Sequence, residues 1–162
     1  HIPPAARAAH LRELWRVLAP GGRLLVSAPN RLWPYEFHTT SLWWVPWLPD
    51  VLALRYAVLR GRLPAGAVHH PALAEGFRGV AYRDLLRWLP EGRVRVLNLE
   101  RQDDLEAWLD LSLSRPQSRR SARAKRGLHR VYHALGIHLW RRLGWPAAAS
   151  LPYLNVAIEK SE

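Results

Sequence analysis

The chain has 162 residues, a formal net charge of +11 at pH 7, 49% hydrophobic residues and no cysteine. Length and apolar content suffice for one domain with a packed core, while the missing thiols exclude disulfides, thiolate metal sites and cysteine nucleophiles. Nothing near the N-terminus resembles a signal peptide, and the longest uncharged run, Leu143 to Ile158, is broken by Pro146 and Pro152 and too short to span a bilayer, which gives a soluble, cytoplasmic expectation.

His1 to Pro4 reads as a loop entering a helix over Ala5 to Leu18, in which Leu11, Leu14, Trp15 and Leu18 share a face. Ala19-Pro20-Gly21-Gly22 ends it, since proline resists continuation and glycine reverses the chain readily. Arg23 to Ser27 is then a short buried strand, expected in a parallel sheet covered on both faces. In an open α/β sheet the ligand crevice lies beyond the carboxyl ends of the strands, so Asn30 to His38 is where polar groups should converge on a substrate. Asn30 equally suits a strand-terminal turn, and His38 equally suits a loop-fixing bond to a backbone carbonyl.

Trp43, Trp44 and Trp47 follow, enough aromatic area for a core with one or two rings left as a pocket wall. Pro49-Asp50 starts a helix running to Leu59. Arg60 to Gly79 is an irregular connection in which His69-His70 reads as solvent-exposed. Val80 to Leu89 is a helix closed by Pro90-Glu91-Gly92, and Arg93 to Leu99 alternates like a strand with one wet side. Asp103-Asp104 suits a helix N-terminus, with Trp108 and Leu109 continuing that helix.

The charge then changes. Between Leu111 and Ile158 there is no acid, while nine Arg and Lys residues, from Arg115 to Arg142, supply most of the net charge. Leu128, Val131, Tyr132, Leu135, Leu139 and Leu143 recur at helical spacing, giving an amphipathic helix with a basic side. Its plainest role is a solvated cover for the sheet. The other two are an anionic membrane surface, with Trp140 and Trp145 at the headgroups, and nucleic acid, which ranks lower. His129 and His133 lie four apart, but without a carboxylate beside them no metal site is assigned.

LRELWRVLAPGGRLLVSAPN, from Leu11 to Asn30, resembles the segment of class I S-adenosylmethionine-dependent methyltransferases that holds the helix before the fifth strand and that strand itself. Asn30-Arg31, the Pro34-Tyr35-Glu36-Phe37-His38-Thr39 element and Trp47-Leu48-Pro49 are similar to a subgroup of small bacterial members. His1-Ile2-Pro3, Val80 to Leu85 and Leu151 to Ile158 resemble further pieces in the same order. The likeness covers about two thirds of the chain and leaves out roughly Asp103 to Ser150. It implies an α/β fold: the C-terminal part of a Rossmann-like methyltransferase sheet, strands five to seven with flanking helices, plus a basic helical insertion at 103–150. The implied sixth strand, Arg93 to Leu99, pairs with a seventh, Leu154 to Glu159, inserted antiparallel. Residues 1–162 would then form an incomplete methyltransferase domain, because no strand is followed by a Gly-x-Gly turn and an acid for ribose.

The implied function is methyl transfer from S-adenosylmethionine to a small-molecule or lipid-like acceptor. Such a displacement needs acceptor positioning, water exclusion and at times a proton acceptor. His38, with Glu36, is expected in that catalytic role; Asn30, Arg31, Trp33 and Tyr35 in substrate binding; and His1 near the cofactor. The alternative is a basic module for a membrane surface or nucleic acid, on an α/β scaffold and peripheral at the membrane in the first case.

Overall fold

The computed structural model describes residues 2–66, 79–90, 94–98, 105–106, 109–110 and 119–161. The expectations on His1, His69-His70, Asp103-Asp104, Trp108 and Arg115 lie outside these residues. Helix α1 spans Pro4–Val17 and opens on proline, whose fixed φ and missing N–H cost nothing in a first turn. It buries Leu11 and Trp15 at i and i+4, whereas Leu14 and Val17 stay exposed, so the packed stripe is narrower than the apolar spacing suggests. The Lys160 ammonium caps its C-terminal end, donating to the carbonyls of Trp15 (3.0 Å) and Leu18 (2.6 Å), where the helix dipole favours a cation. Gly21 turns with φ +71°, and its N–H bonds Lys160 O at 2.8 Å.

Strand β1 is Arg23–Pro29. After it come the two-residue strands β2 (Tyr35–Glu36) and β3 (Leu42–Trp43), helix α2 (Asp50–Leu59), helix α3 (Tyr82–Arg87) and strand β4 (Val94–Asn98). Helix α4 (Arg119–Arg142) and strand β5 (Tyr153–Lys160) complete the order. Strands β2 and β3 form a hairpin, and the larger sheet has the order β1-β5-β4. Strand β5 is antiparallel to both neighbours, so β1 and β4 run parallel to each other on either side of it. Leu24, Ile158 and Val96 stand in one row across the three strands, Val26 pairs with Val156, and Leu154 lies opposite Ala28.

Those side chains pack with Leu11 and Trp15 of α1 and with Tyr82, Leu85 and Leu89 in one core. Each fully buried aliphatic or aromatic side chain contributes about 1.5–3 kcal/mol, which outweighs the weak helix and strand preferences of short segments. The expectation that β1 is covered on both faces is corrected. Arg23, Leu25 and Ser27 are exposed, Leu25 at 70%, because alternate side chains point to opposite faces and among the described residues only the Leu24 and Val26 row meets the core; the ladder of β1 is also antiparallel, with β5, and not parallel as expected.

The placement of α4 also differs from expectation. Leu128, Val131, Leu135, Leu139 and Leu143 are all about half exposed or more, while the face turned inward carries His129, His133, Gly136 and Trp140. Gly136 allows close approach: a Cβ there would meet Ser150 Cβ at 3.4 Å, in the 3-10 turn Ala147–Ser150 that leads to β5. Trp140 stacks on Trp145 at 4.9 Å and both pack on the main core, so neither is the membrane-facing ring of the sequence reading. Arg130 reaches Glu106 at 2.7 Å and Arg126 also pairs with Asp110, tying α4 to the helical residues 105–106 and 109–110. Among the described residues no helix is long and apolar enough to cross a membrane.

Candidate functional site

At the carboxyl end of β1, Asn30 is buried and fully bonded. Its Nδ2 donates to the carbonyls of Ala149 (2.9 Å) and Leu151 (2.8 Å), and its Oδ1 accepts from the Leu32 N–H at 3.0 Å. The side chain therefore ties β1 to the approach of β5. Beside it, Val80 N–H donates to Pro29 O at 2.9 Å and Arg31 N–H to Val80 O at 3.1 Å, a short parallel bridge that brings Gly79 against Pro29.

Glu36 is 3% exposed, and its carboxylate accepts from the N–H groups of Thr39 (2.9 and 3.0 Å), His38 and Thr40 and from Thr40 Oγ1 at 2.8 Å. Its lone pairs are thus occupied in holding the β2–β3 loop. That arrangement leaves Glu36 a positioning part, presenting the His38 ring outward at the loop tip, with Nδ1 3.2 Å from Thr39 Oγ1.

Trp33 and Tyr35 turn the other way, into a second core. There the ring of His129 lies parallel to Trp43 (4.6 Å, 21°), Trp33 (5.4 Å, 12°) and Phe37 (5.5 Å, 29°), with Tyr35 edge-on at 5.4 Å. Both nitrogens of this imidazole are buried without a hydrogen bond, and burial, followed by the charge of Lys125, lowers its pKa to about 4. The Tyr132 hydroxyl donates to Leu32 O, and burial pushes its pKa up to about 12. His133 bonds Ser150 O through Nδ1 at 2.9 Å, so its first partner is a carbonyl of the turn before β5. Among the described residues no group of three or more His, Cys, Asp or Glu is placed to hold a metal ion.

A cavity of about 480 Å³ runs along β1 from Leu24 to Pro29, between that strand and α1. Its wall is mostly aliphatic, with Leu11, Leu14, Val26 and Val80, and polar groups gather on it from four elements: Arg7 and His10 of α1, Ser27 of β1, His38 of the hairpin loop and Tyr153 of β5. Among the described residues no carboxylate lines it. The Arg7 guanidinium is half buried, holds Gly79 O at 2.8 Å and Ile2 O at 3.1 Å, and its pKa is lowered by burial and then by Arg31. Burial raises the Tyr153 pKa, and Glu36 adds to the rise, so the phenol stays protonated and is a hydrogen-bond donor at neutral pH.

Searches of protein-family models, curated proteins and solved structures return no match to this chain.

Of the residues expected to act on a substrate, only His38 lines the cavity. Arg31 is exposed nearby, Asn30 and Glu36 brace the backbone, and Trp33 and Tyr35 are core. His1 lies outside the described residues. Sequence reasoning missed Arg7, His10 and Tyr153. Arg7 and His10 are nearly one turn apart on the α1 surface, and Tyr153 starts the last strand opposite Pro29, so the register of β5 on β1 is the signal that joins them.

Proposed function

We propose that the chain forms the acceptor-side part of a class I S-adenosylmethionine-dependent methyltransferase domain acting on a small-molecule or lipid-like acceptor. The observation that carries this reading is the sheet order: β1 and β4 parallel, with the last strand inserted antiparallel between them. In the family that the sequence resembles, these correspond to the fifth, sixth and seventh strands. A helix before β1 and a helix before β4 add support to this reading.

The described residues do not fit the methyl donor itself. Among the described residues the cavity has no carboxylate for ribose hydroxyls, and Gly21-Gly22 closes the turn after α1, where a Cβ on Gly22 would lie 2.7 Å from Ala19 O. On this reading the groups that bind the donor belong outside the described residues. The chain's own contribution is to hold the acceptor. Aliphatic side chains along β1 and α1 take up an apolar body and exclude water, the Arg7 guanidinium favours an oxygen-rich or anionic group, Tyr153 donates a hydrogen bond, and His38 accepts the proton released when a nucleophile is methylated. The alternative of a basic binding module draws support from the acid-free outer face of α4.

The test uses the complete reading frame that encodes the chain. Its product should bind S-adenosylmethionine calorimetrically with micromolar affinity and transfer a labelled methyl group to an acidic lipid or small-molecule extract, and the 162-residue chain alone should give no heat. His38→Ala should lower kcat while leaving donor affinity unchanged. Donor binding by the 162-residue chain, or none by the complete product, overturns the proposal.

A further inference from the structure

We infer that the outward face of α4, continued by Trp44 and Trp47, is a docking surface for an anionic lipid bilayer. This goes beyond the methyl-transfer reading and does not depend on it. Leu128, Val131, Leu135 and Leu139 are 49%, 58%, 66% and 52% exposed, and their spacing of three and four residues puts them in one stripe along the helix. Tyr132 lies at the stripe's inner margin and meets the Trp47 ring at 6.1 Å; the two side chains share one acceptor, since Tyr132 Oη and Trp47 Nε1 both donate to Leu32 O. Trp47 in turn lies 5.2 Å from Trp44, and both indoles are about half exposed. One turn further on are exposed Val51 and Leu52 of α2. A run of large apolar side chains thus extends from the two indoles to α4, and such contiguous exposure marks an interaction surface.

Charge decides what covers it. Helix α4 contains no Asp or Glu, and Lys125 and Arg142 stand at the two ends of the leucine stripe, three residues before Leu128 and three after Leu139. On the α2 side Asp50 is the one acid from Ser41 to Gly66, against Arg55, Arg60 and Arg62. Arg60 and Arg62 are exposed around Leu59, which is itself 83% exposed. Cations with long aliphatic stems at the rim, leucines in the middle and amphipathic indoles beside them match an interface of acyl chains under negative headgroups. A polynucleotide would use the cations and leave the leucines in water. Among the described residues the acids near α4, Glu106 and Asp110, pair with Arg130 and Arg126 away from the leucine stripe and so do not oppose the approach.

The full chain should float with vesicles of phosphatidylcholine mixed with phosphatidylglycerol and remain behind with phosphatidylcholine alone. Added salt should weaken the binding without abolishing it, because insertion of apolar side chains is not screened. Val131→Asp combined with Leu135→Asp should cut the bound fraction tenfold or more at an unchanged thermal midpoint, as both side chains already face water, and Trp47→Ala should give a smaller loss. Failure of the unmodified chain to float with anionic vesicles, binding that survives the double aspartate substitution, self-association abolished by that substitution in place of vesicle binding, or retention on RNA in place of vesicles would each overturn the inference.

Discussion

His129 has no exposed surface and no hydrogen bond, so the core around it accepts only the neutral imidazole. Its pKa of about 4 lies below the ordinary 6.5 that an unfolded chain would show. Above pH 6.5 the ring is neutral in both states and folding costs nothing on its account. As the pH falls from 6.5 to about 4 the unfolded chain takes up a proton that the folded one refuses, and stability drops by up to about 3 kcal/mol, with no further loss from this group below that. Urea midpoints should therefore decline from pH 6.5 towards 5, above the range where the lowered carboxylates Glu106 and Glu159 titrate. His129→Phe should flatten that decline; a slope unchanged by it would assign the effect to other groups. Residue roles were only partly legible in the sequence. Asn30 and His38 each carried two readings, and Asn30 proved to be the turn-and-brace one because three hydrogen bonds consume its amide. Nothing in the order of residues tells which way Trp33 and Tyr35 face, since β2 is only two residues long and its orientation is fixed by the aromatic rings stacked on a histidine nearly a hundred positions away.

At the scale of elements, α1, β1, α2 and α4 were readable because proline, glycine and aspartate punctuate apolar runs at their ends. The inward side of α4 was not. Ranking by hydrophobicity puts its leucines inside, whereas the helix turns inward the arc of His129, His133, Gly136 and Trp140, spaced i, i+4, i+7 and i+11, since that arc offers stacking surface and one position without a side chain. A glycine in the middle of a helix costs stability relative to alanine, yet its presence does not by itself reveal a close approach, since Gly127 of the same helix has open space where its Cβ would be. The sharper requirement for glycine is in the bridge between the β1 end and α3. Gly79 has φ +81°, and a Cβ there would lie 2.0 Å from Pro29 O. Gly79→Ala must move the backbone, which separates Val80 from Pro29 and Arg31 and pulls the Arg7 anchor from the cavity wall. A loss of about 2 kcal/mol or more is expected in chemical denaturation, whereas Gly66→Ala, with open space around its Cβ, should stay near the parent.

For the molecule as a whole, the sheet is asymmetric. Its β4 side follows an α3 packed in the core, while β1 borders the cavity of about 480 Å³ and carries Leu25 in the open. Of the strand pairings, only that of β4 with β5 was expected, as an implication of the family resemblance, and the antiparallel β1–β5 ladder was not, because pairings between residues more than a hundred positions apart leave no periodic mark in a single sequence. An edge strand with a free row of N–H and C=O groups and an exposed leucine is a template for another strand, and proteins ordinarily blunt such an edge with a charge, often lysine. The 162-residue chain should consequently self-associate as its concentration rises, seen as a shift in sedimentation velocity from monomer to larger species. Leu25→Lys places a cation on the open face without touching the core row of Leu24 and Val26, so it should restore the monomer with the thermal midpoint held or raised. The β1 edge and the α4 stripe predict separable behaviour. Val131→Asp with Leu135→Asp should abolish vesicle binding and leave concentration-dependent association in place, and Leu25→Lys should do the reverse. A monomeric chain at high concentration would mean that the β1 edge is already covered in solution, and the cavity beside it would then be closed to a strand.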